Sequence, residues 1–526
     1  MLPYLVIAPV LIAAFLYVAS THNAARILAV VFQAGLFMAS AYLVWITRNT
    51  EITTFIGSYN DLLSITLRAD SISADFVFIT TAIFLVISIY SYQEKKDVPL
   101  VWFLLFILES SLIGLFLAGD LFSIFVLVEV STIATLVLVM YDRVKRKMYY
   151  GIVFLMVNIV AAQFYLFGLG YIYMVTGALD IRQVTAIVAT SDPQNLILPY
   201  ALIMTSIGFK CTLIPFFSWA PKVKIYPEAP TVVQAILSGL QIKSAVFLFL
   251  QFQEIFQPIA PTEFFLVIGI ISALFGAFMA ICQTDIRMIL AYHTVSQVGL
   301  IIVGISLGGY SYIGGLYHIF SHAVFKTTLF LATGMIIRSY NTANVYKIHG
   351  VLKRMPFAGA ATVAAVLGIV GAPFFIGSVS KYFIAYDISP MMNIITIIIG
   401  LGTIISFVKF SSIFFGKPDL VGDMPIPEKC KTAPTVFLGA VCLAGGIFGT
   451  QAIQFLFGYQ VEIVMVSYIQ KSIIFLVSLG VGYLIYRYVI KGNHLLKRIG
   501  GIYFGFRTVC FAMGVFFAIL LAFTAW

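Results

Sequence analysis

The chain has 526 residues, of which 61% are hydrophobic and 10% charged, with a mean hydropathy of +1.04. A water-soluble protein of this length carries about 25% charge, so the composition excludes an ordinary soluble fold. Basic residues outnumber acidic ones by 31 to 21, a net charge of +10, but they are spread over many short loops. That distribution excludes a nucleic-acid face, which needs its charge gathered on one side.

Apolar runs of bilayer length recur from end to end, which predicts an all-α polytopic membrane protein. In chain order the predicted spans are 2–19, 25–47, 71–92, 98–118, 120–141, 148–176, 198–219, 230–256, 261–281, 288–308, 311–337, 357–386, 391–416, 432–457, 464–490 and 503–525. The first follows Met1 without a basic leader or a small-residue cleavage site, and is expected to be retained in the membrane. Cys211, Cys282, Cys430, Cys442 and Cys510 are scattered and form neither a disulfide framework nor a CxxC metal pattern. Lys95, Lys96, Arg143 to Lys147, Lys222, Lys224, Lys347, Lys353, Arg354, Lys417, Lys429, Lys431, Lys491, Lys497 and Arg498 all follow odd-numbered spans. Even-numbered spans are followed by Arg48, Arg68 and Arg182, each with acidic neighbours. The positive-inside rule then predicts an N-terminus outside the cell membrane. The basic loops suit anionic lipid or a cytoplasmic partner equally well.

Charge inside the spans is the functional signal, because an ammonium at mid-bilayer costs several kcal/mol. Lys210 lies deep in an apolar run that Pro215 and Pro221 interrupt, and Lys243 sits in the next run. A side chain reaching ~6 Å does not cover the ~15 Å to the headgroups. Glu129 lies midway along LFSIFVLVEVSTIATLVLVM, with no charged partner in its own helix. A carboxylate near a buried lysine holds its proton, and moving the carboxylate away lets desolvation expel it, so Glu129 and Lys210 on different helices can form a switch. Glu109 is equally central in its span, with a protonated, hydrogen-bonded carboxyl as the competing reading.

Further on, His318, His322 and Lys326 recur every fourth residue and form one stripe rising ~12 Å along a helix. The histidine pair lacks the glutamate of an HExxH zinc site, so a proton relay is the expectation and metal binding is not. His293 is a secondary candidate, beside Tyr292 and Gln297; His22, His349 and His494 read as loop residues. A second broken span carries Gly371-Ala-Pro373 and Gly377, with Lys381 beyond the break. Two proline-interrupted segments, each with a lysine and about 170 residues apart, predict an internal repeat. An odd repeat of five helices inverts the second copy, so Lys210 is expected to match Lys381 and Lys243 to match Lys409. The predicted divisions are an N-terminal group 1–97, a first repeat 98–256, a second repeat 257–416 and a C-terminal group 417–526.

The stretches LAGDLFSIFVLVE (117–129), GFKCTLIPFFSWAPKVKIYPEAPTVVQAILSGLQIKSA (208–245), QTDIRMILAYHTVSQVGL (283–300), YHIFSHAVFKTTLFLATG (317–334) and GSVSKYF (377–383) carry a family resemblance. The chain resembles the antiporter-like subunits of Mrp-type sodium/proton antiporters, membrane-bound hydrogenases and respiratory complex I, over roughly residues 60 to 415. The resemblance implies fourteen core helices, two inverted five-helix repeats and a discontinuous helix in each. It also implies an ion path whose roles fall on Glu129, Lys210, Lys243, His318 or His322, and Lys381, with Glu109, His293, Lys326 and Lys409 as secondary candidates. Such a subunit works inside a larger complex of other membrane subunits and passes protons, with sodium exchange an open alternative. Two helices extend past the implied core, Lys471 lies near the start of the first, and no amphipathic lateral helix is expected between them. A lysine like Lys381 fits Mrp D-type and hydrogenase-type subunits equally.

No GxGxxG, P-loop, haem or iron–sulfur ligand set appears, so the chain is expected to hold no cofactor or catalytic centre, and any redox chemistry belongs to partners. The competing readings are a redox-driven pump subunit, a self-sufficient solute transporter with a roomy pocket, and a structural subunit whose charges only fix packing.

Overall fold

The computed structural model describes residues 1–19, 23–57, 65–92, 98–218, 229–418, 429–502 and 505–525. Lys95, Lys96, Pro221, Lys222, Lys224 and His22 lie outside these. Thirteen described helices are long and apolar enough to cross a membrane. In order, α1 is Leu2–Ala19, α2 Asn23–Thr47, α3 Ser71–Ser91, α4 Val98–Leu117, α5 Leu121–Met140 and α6 Lys145–Thr176. A short α7 (Ile181–Val188) precedes α8 (Pro193–Lys210), which ends at a break followed by a single 3₁₀ turn. Next come α9 (Thr231–Ile255), α10 (Thr262–Cys282), α11 (Ile286–Leu307) and α12 (Gly309–Tyr340). One turn, α13 (Val351–Arg354), leads to α14 (Pro356–Val370), a second break and α15 (Ile376–Ile384). The chain finishes with α16 (Pro390–Ser411), α17 (Lys429–Ile447), α18 (Gly449–Phe457), α19 (Met465–Ile485), α20 (His494–Gly500) and α21 (Phe506–Ala525).

Local chemistry sets many of the boundaries. Asp70, Asp120, Asp180, Asp192, Asp285 and Asn493 each cap a helix by accepting bonds from first-turn N–H groups. Asp70 and Ser73 form a reciprocal capping box. The chain between α2 and α3 forms a hairpin absent from the sequence expectation, β1 (Ile52–Ile56) paired antiparallel with β2 (Ile65–Ala69). Arg68 of β2 joins Glu51 at 2.9 Å and Asp180 at 3.4 Å, and Glu51 also meets Arg182.

Two small backbone junctions give the two halves a common plan. Leu121 N–H donates to Leu179 O at 3.0 Å, and Ile181 N–H to Gly119 O at 2.9 Å. Likewise Ile286 N–H donates to Ala343 O and Val345 N–H to Thr284 O, both at 2.9 Å. The first junction ties the start of α5 to the end of α6; the second ties the start of α11 to the end of α12. Five spans separate equivalent points, so the junctions lie on opposite faces. Gly119 also donates to Thr66 O at 2.7 Å, placing the hairpin on the first face. Gly350 donates to Phe415 O at 2.8 Å, and Gln283 Nε2 to Gly500 O at 3.3 Å, gathering the ends of α10, α12, α16 and α19 on the second.

The two breaks share their hydrogen bonding. Leu213 N–H donates to Gly208 O at 3.1 Å, and Ala372 N–H to Leu367 O at 2.9 Å, each spanning five residues. Each follows a residue at positive φ: Thr212 at 58° and Gly371 at 83°. Freed backbone groups then find partners elsewhere, as a span without surrounding water requires. Ile214 N–H donates to Ser272 Oγ on α10 at 2.9 Å, and Phe374 N–H to Tyr468 Oη on α19 at 3.1 Å.

Other departures from the sequence expectation are local. Lys429 and Lys431 belong to α17 rather than a loop, and Lys431 is buried. Lys497 and Arg498 fall on α20, a seven-residue helix that lies against α10 between the last two spans. Helix α9 contains a π turn at Leu237–Gln241 that no local residue pattern announced.

Candidate ion-translocation row

Lys210 is the last residue of α8, where half-helix carbonyls point toward the break and favour a cation. Its Nζ donates to Asn158 Oδ1 of α6 at 2.8 Å and to Thr132 Oγ1 of α5 at 3.1 Å. Glu129 lies one turn from Thr132 on α5. Among the described residues it makes no ion pair with Lys210 within 4 Å. Its Oε1 is buried with no hydrogen-bond partner among the described residues.

From there a second leg runs toward the molecular middle. Thr135, one turn beyond Thr132, donates to Gln241 Oε1 at 3.1 Å. Gln241 ends the π turn, and that turn frees Ser238 O to accept from Lys243 Nζ. Lys243, 1% exposed, also meets His322 Nδ1. A π turn widens the ladder by one residue, which is how α9 presents a backbone oxygen to its own lysine.

The third leg follows α12. His318 and His322 lie one turn apart with ring centroids 6.5 Å apart. His318 pairs through Nε2 with Gln297 Oε1 at 3.1 Å and through Nδ1 with Ser380 Oγ at 2.8 Å. Ser380 adjoins Lys381 on α15, and Lys381 Nζ donates to Ile369 O at 2.7 Å. The structure thus brings Lys210, Lys243, His322, His318 and Lys381 into one row of polar groups within an apolar interior. His322 Nε2 and Gln297 Nε2, like Glu129 Oε1, are buried without a partner among the described residues. Buried polar atoms in that state are where water enters protein interiors.

The secondary candidates separate. Glu109 is fully buried, but Gln33 of α2 donates to it at 2.5 Å and also to Thr81 O, so its contacts lie with α2 and α3, off the row. Lys326 donates to Leu290 O at 2.5 Å and forms a side branch. His293 meets Ser406 and stacks on Phe407, neither of which adjoins it in sequence. Lys409 donates to Ala280, Ile281 and Gln283 carbonyls at 3.1, 2.6 and 2.6 Å, closing the C-terminus of α10. Among the described residues no group of three or more His, Cys, Asp or Glu could hold a metal ion.

The expected match of Lys210 with Lys381 is corrected by the breaks themselves. When the five-residue bonds are superposed, Lys210 corresponds to Ile369. Lys381 follows its break by ten residues and reaches back so that its ammonium meets the Ile369 carbonyl. Different register delivers the charge to the same place. Asn158, Thr132, Gln241 and Gln297 were missed by reading the sequence, because neutral polar residues on apolar helices carry no signal until partners are known.

A fold of this kind, polytopic and helical with two broken spans meeting an interior row of amines and imidazoles, defines a class of ion-handling membrane proteins. Residues 118–406 match the family described as NADH:quinone oxidoreductase/Mrp antiporter, TM, and the chain belongs to it, so its spans lie in a membrane. It is 33% identical over 293 residues to the N-type NADH-quinone oxidoreductase subunit of Desulforudis audaxviator, covering 54% of this chain and 58% of that relative's length. The likeness to the D-type Na(+)/H(+) antiporter subunit of Alkalihalophilus pseudofirmus is 27% over 461 residues, 82% of this chain and 92% of that one. Hydrogenase-4 component B of Escherichia coli is 27% identical over 345 residues, 61% of this chain and 51% of its own. A chain of the Mrp complex from Dietzia sp. DQ12-45-1b has the same fold, with a TM-score of 0.80 at 22% identity, covering 90% of this chain and 99% of that one. A chain of the membrane-bound sulfane sulfur reductase, an archaeal respiratory membrane complex, gives a TM-score of 0.78 at 19% identity, covering 92% of this chain and 99% of that one.

Proposed function

We propose that this chain is a proton-translocating, antiporter-like subunit of a multisubunit membrane complex. The observation that carries the reading is the row from half-buried Glu129 and Lys210 through buried Lys243, His322 and His318 to half-buried Lys381. Amines and imidazoles exchange protons readily, whereas a row of ammonium groups repels a bare sodium ion. Sodium therefore enters only as the counter-ion of exchange, in this or a neighbouring subunit. Water completes the steps longer than a hydrogen bond, entering at Glu129, Gln297 and His322. Glu129 sets the state of Lys210. With the carboxylate close, the lysine keeps its proton; with it withdrawn, the proton passes toward Gln241 and Lys243.

The two backbone junctions and the two matching breaks support division into inverted repeats, 98–256 and 257–416, flanked by 1–97 and 417–526. The basic ends of the odd spans support an N-terminus outside. The relatives' names include both an antiporter subunit and subunits of hydrogenase and quinone oxidoreductase assemblies. The driving force, redox or gradient, belongs in this reading to the partner subunits, and anionic lipid meets the basic face.

The test uses the complex isolated with its partners and reconstituted in vesicles carrying a pH-sensitive dye. Glu129→Gln and Lys210→Ala should each lower proton flux about tenfold or more, with subunit stoichiometry retained. Flux equal to that of the unmodified complex in either variant sinks the scheme.

A further inference from the structure

The row ends at Lys381, but the cavity beside it does not. A cleft of about 140 Å³ opens between α14, α15, α16 and α19, and both Lys381 and Lys471 line it. Its other polar lining includes Ser378, Asn393, Thr396 and Ser472; the remaining wall is largely aliphatic. Lys381 makes one hydrogen bond among the described residues, to Ile369 O, so the rest of its ammonium is left for the cleft. Lys471 Nζ donates to Ala385 O at 2.6 Å and Tyr382 O at 3.0 Å, and lies over the Tyr382 ring at 4.7 Å. The cleft leads toward the ends where α15 stops and α16 and α19 begin. Asn393 stands there, one turn into α16.

We propose that this cleft is the outer mouth of the row, and that Lys471 is the proton-accepting group between Lys381 and that face. The inference rests on the proton-translocating reading above. A proton leaves the Lys381 ammonium through cleft water, resides on the Lys471 amine held by two carbonyls, and departs past Thr396 and Asn393. The carbonyls and the Tyr382 ring steady a cation there without neutralising it, so the site accepts a proton without trapping it as a carboxylate would. The competing role is a plain cap on the C-terminus of α15.

The two roles respond differently to substitution. Lys471→Arg keeps the charge, the bonds and the ring contact, but a guanidinium does not release its proton. Lys471→Gln keeps a donor for the carbonyls and loses the charge. In the reconstituted complex both should lower proton flux about tenfold, with the partner subunits bound in normal amounts. An arginine variant within twofold of the unmodified complex, in preparations where Lys210→Ala lowers flux about tenfold or more, leaves Lys471 a cap and overturns the proposal alone. Lys210→Ala without effect overturns the function reading and this one together. A second measurement needs no transport: Thr396→Cys, with Cys430 and Cys510 changed to serine, should react with a membrane-impermeant maleimide from the hairpin face. No reaction from that face overturns the mouth.

Discussion

Three buried or half-buried ammonium groups in this protein are held by backbone carbonyls at helix ends. Lys381 sits on Ile369 O near the end of α14, Lys409 on the end of α10, and Lys471 on the end of α15. Each such end carries unsatisfied carbonyls and the negative pole of the helix, so a cation there replaces water at two sites at once. The sequence pointed to a carboxylate partner for Lys210 alone. The structure shows the neutral alternative, which leaves a lysine free to change its charge. Lys409 nevertheless differs from Lys381, because three carbonyls close around it. Lys409→Gln should lower complex abundance and thermal stability, by about 1.5–3 kcal/mol for a lost charged hydrogen-bond set, with flux per assembled complex unchanged. Glu109→Gln should leave flux unchanged as well, since the amide oxygen still accepts from Gln33. Either variant losing flux at normal abundance would move its residue onto the row.

At the scale of elements, the breaks are what bring charge to the middle. A continuous helix would hide every backbone group; stopping α8 at Lys210 and α14 at Val370 exposes carbonyls where amines collect. The second break depends on close contact. A Cβ on Gly377 would lie 1.9 Å from Gly368 O, a backbone atom that has no room to yield. Gly377→Ala should therefore push α15 away from α14 and cost about 1–3 kcal/mol. Because α15 carries Lys381, flux should fall as far as in Lys381→Ala. Gly400→Ala, with nothing within 4 Å of its Cβ, is the matched control and should behave as the unmodified protein. Vesicle flux and thermal melting of both variants, read side by side, check the point.

Over the whole molecule, the last two spans, both near the C-terminal end of the chain, each hold one of the two breaks. Tyr468 of α19 bonds Phe374 N–H and Ser378 at the second break. Phe516 of α21 packs on Phe216, with ring centroids 4.8 Å apart, just past the first. Between them α20 crosses the end of α10. Deleting residues 464–526 should leave both breaks without these partners, and the truncated chain should be recovered from membranes at clearly lower abundance, as quantitative blotting would show. Recovery equal to that of the intact chain would make these spans peripheral. A reporter fused at the N-terminus, active only outside the cell, tests the orientation and should give signal.

Several things were legible from the residues alone. Composition sufficed for a helical membrane protein, because hydrocarbon leaves the backbone no other economical way to bond. The span order, both proline breaks and the presence of Lys210, Lys243, His318, His322 and Lys381 inside the spans were equally open to reading, because a charge in an apolar run is costly wherever the chain folds. Only the tertiary structure decided which of those charges meet. Glu109 and Glu129 look alike in sequence, yet one is held by Gln33 while the other faces the row. Thr132, Asn158, Gln241 and Gln297 join the row through contacts between helices distant in the chain, and the π turn that aims Ser238 at Lys243 has no local signature. Partner choice is set by packing between helices. Burial cost is a property of each residue by itself, and that difference is why the ingredients could be read before the path.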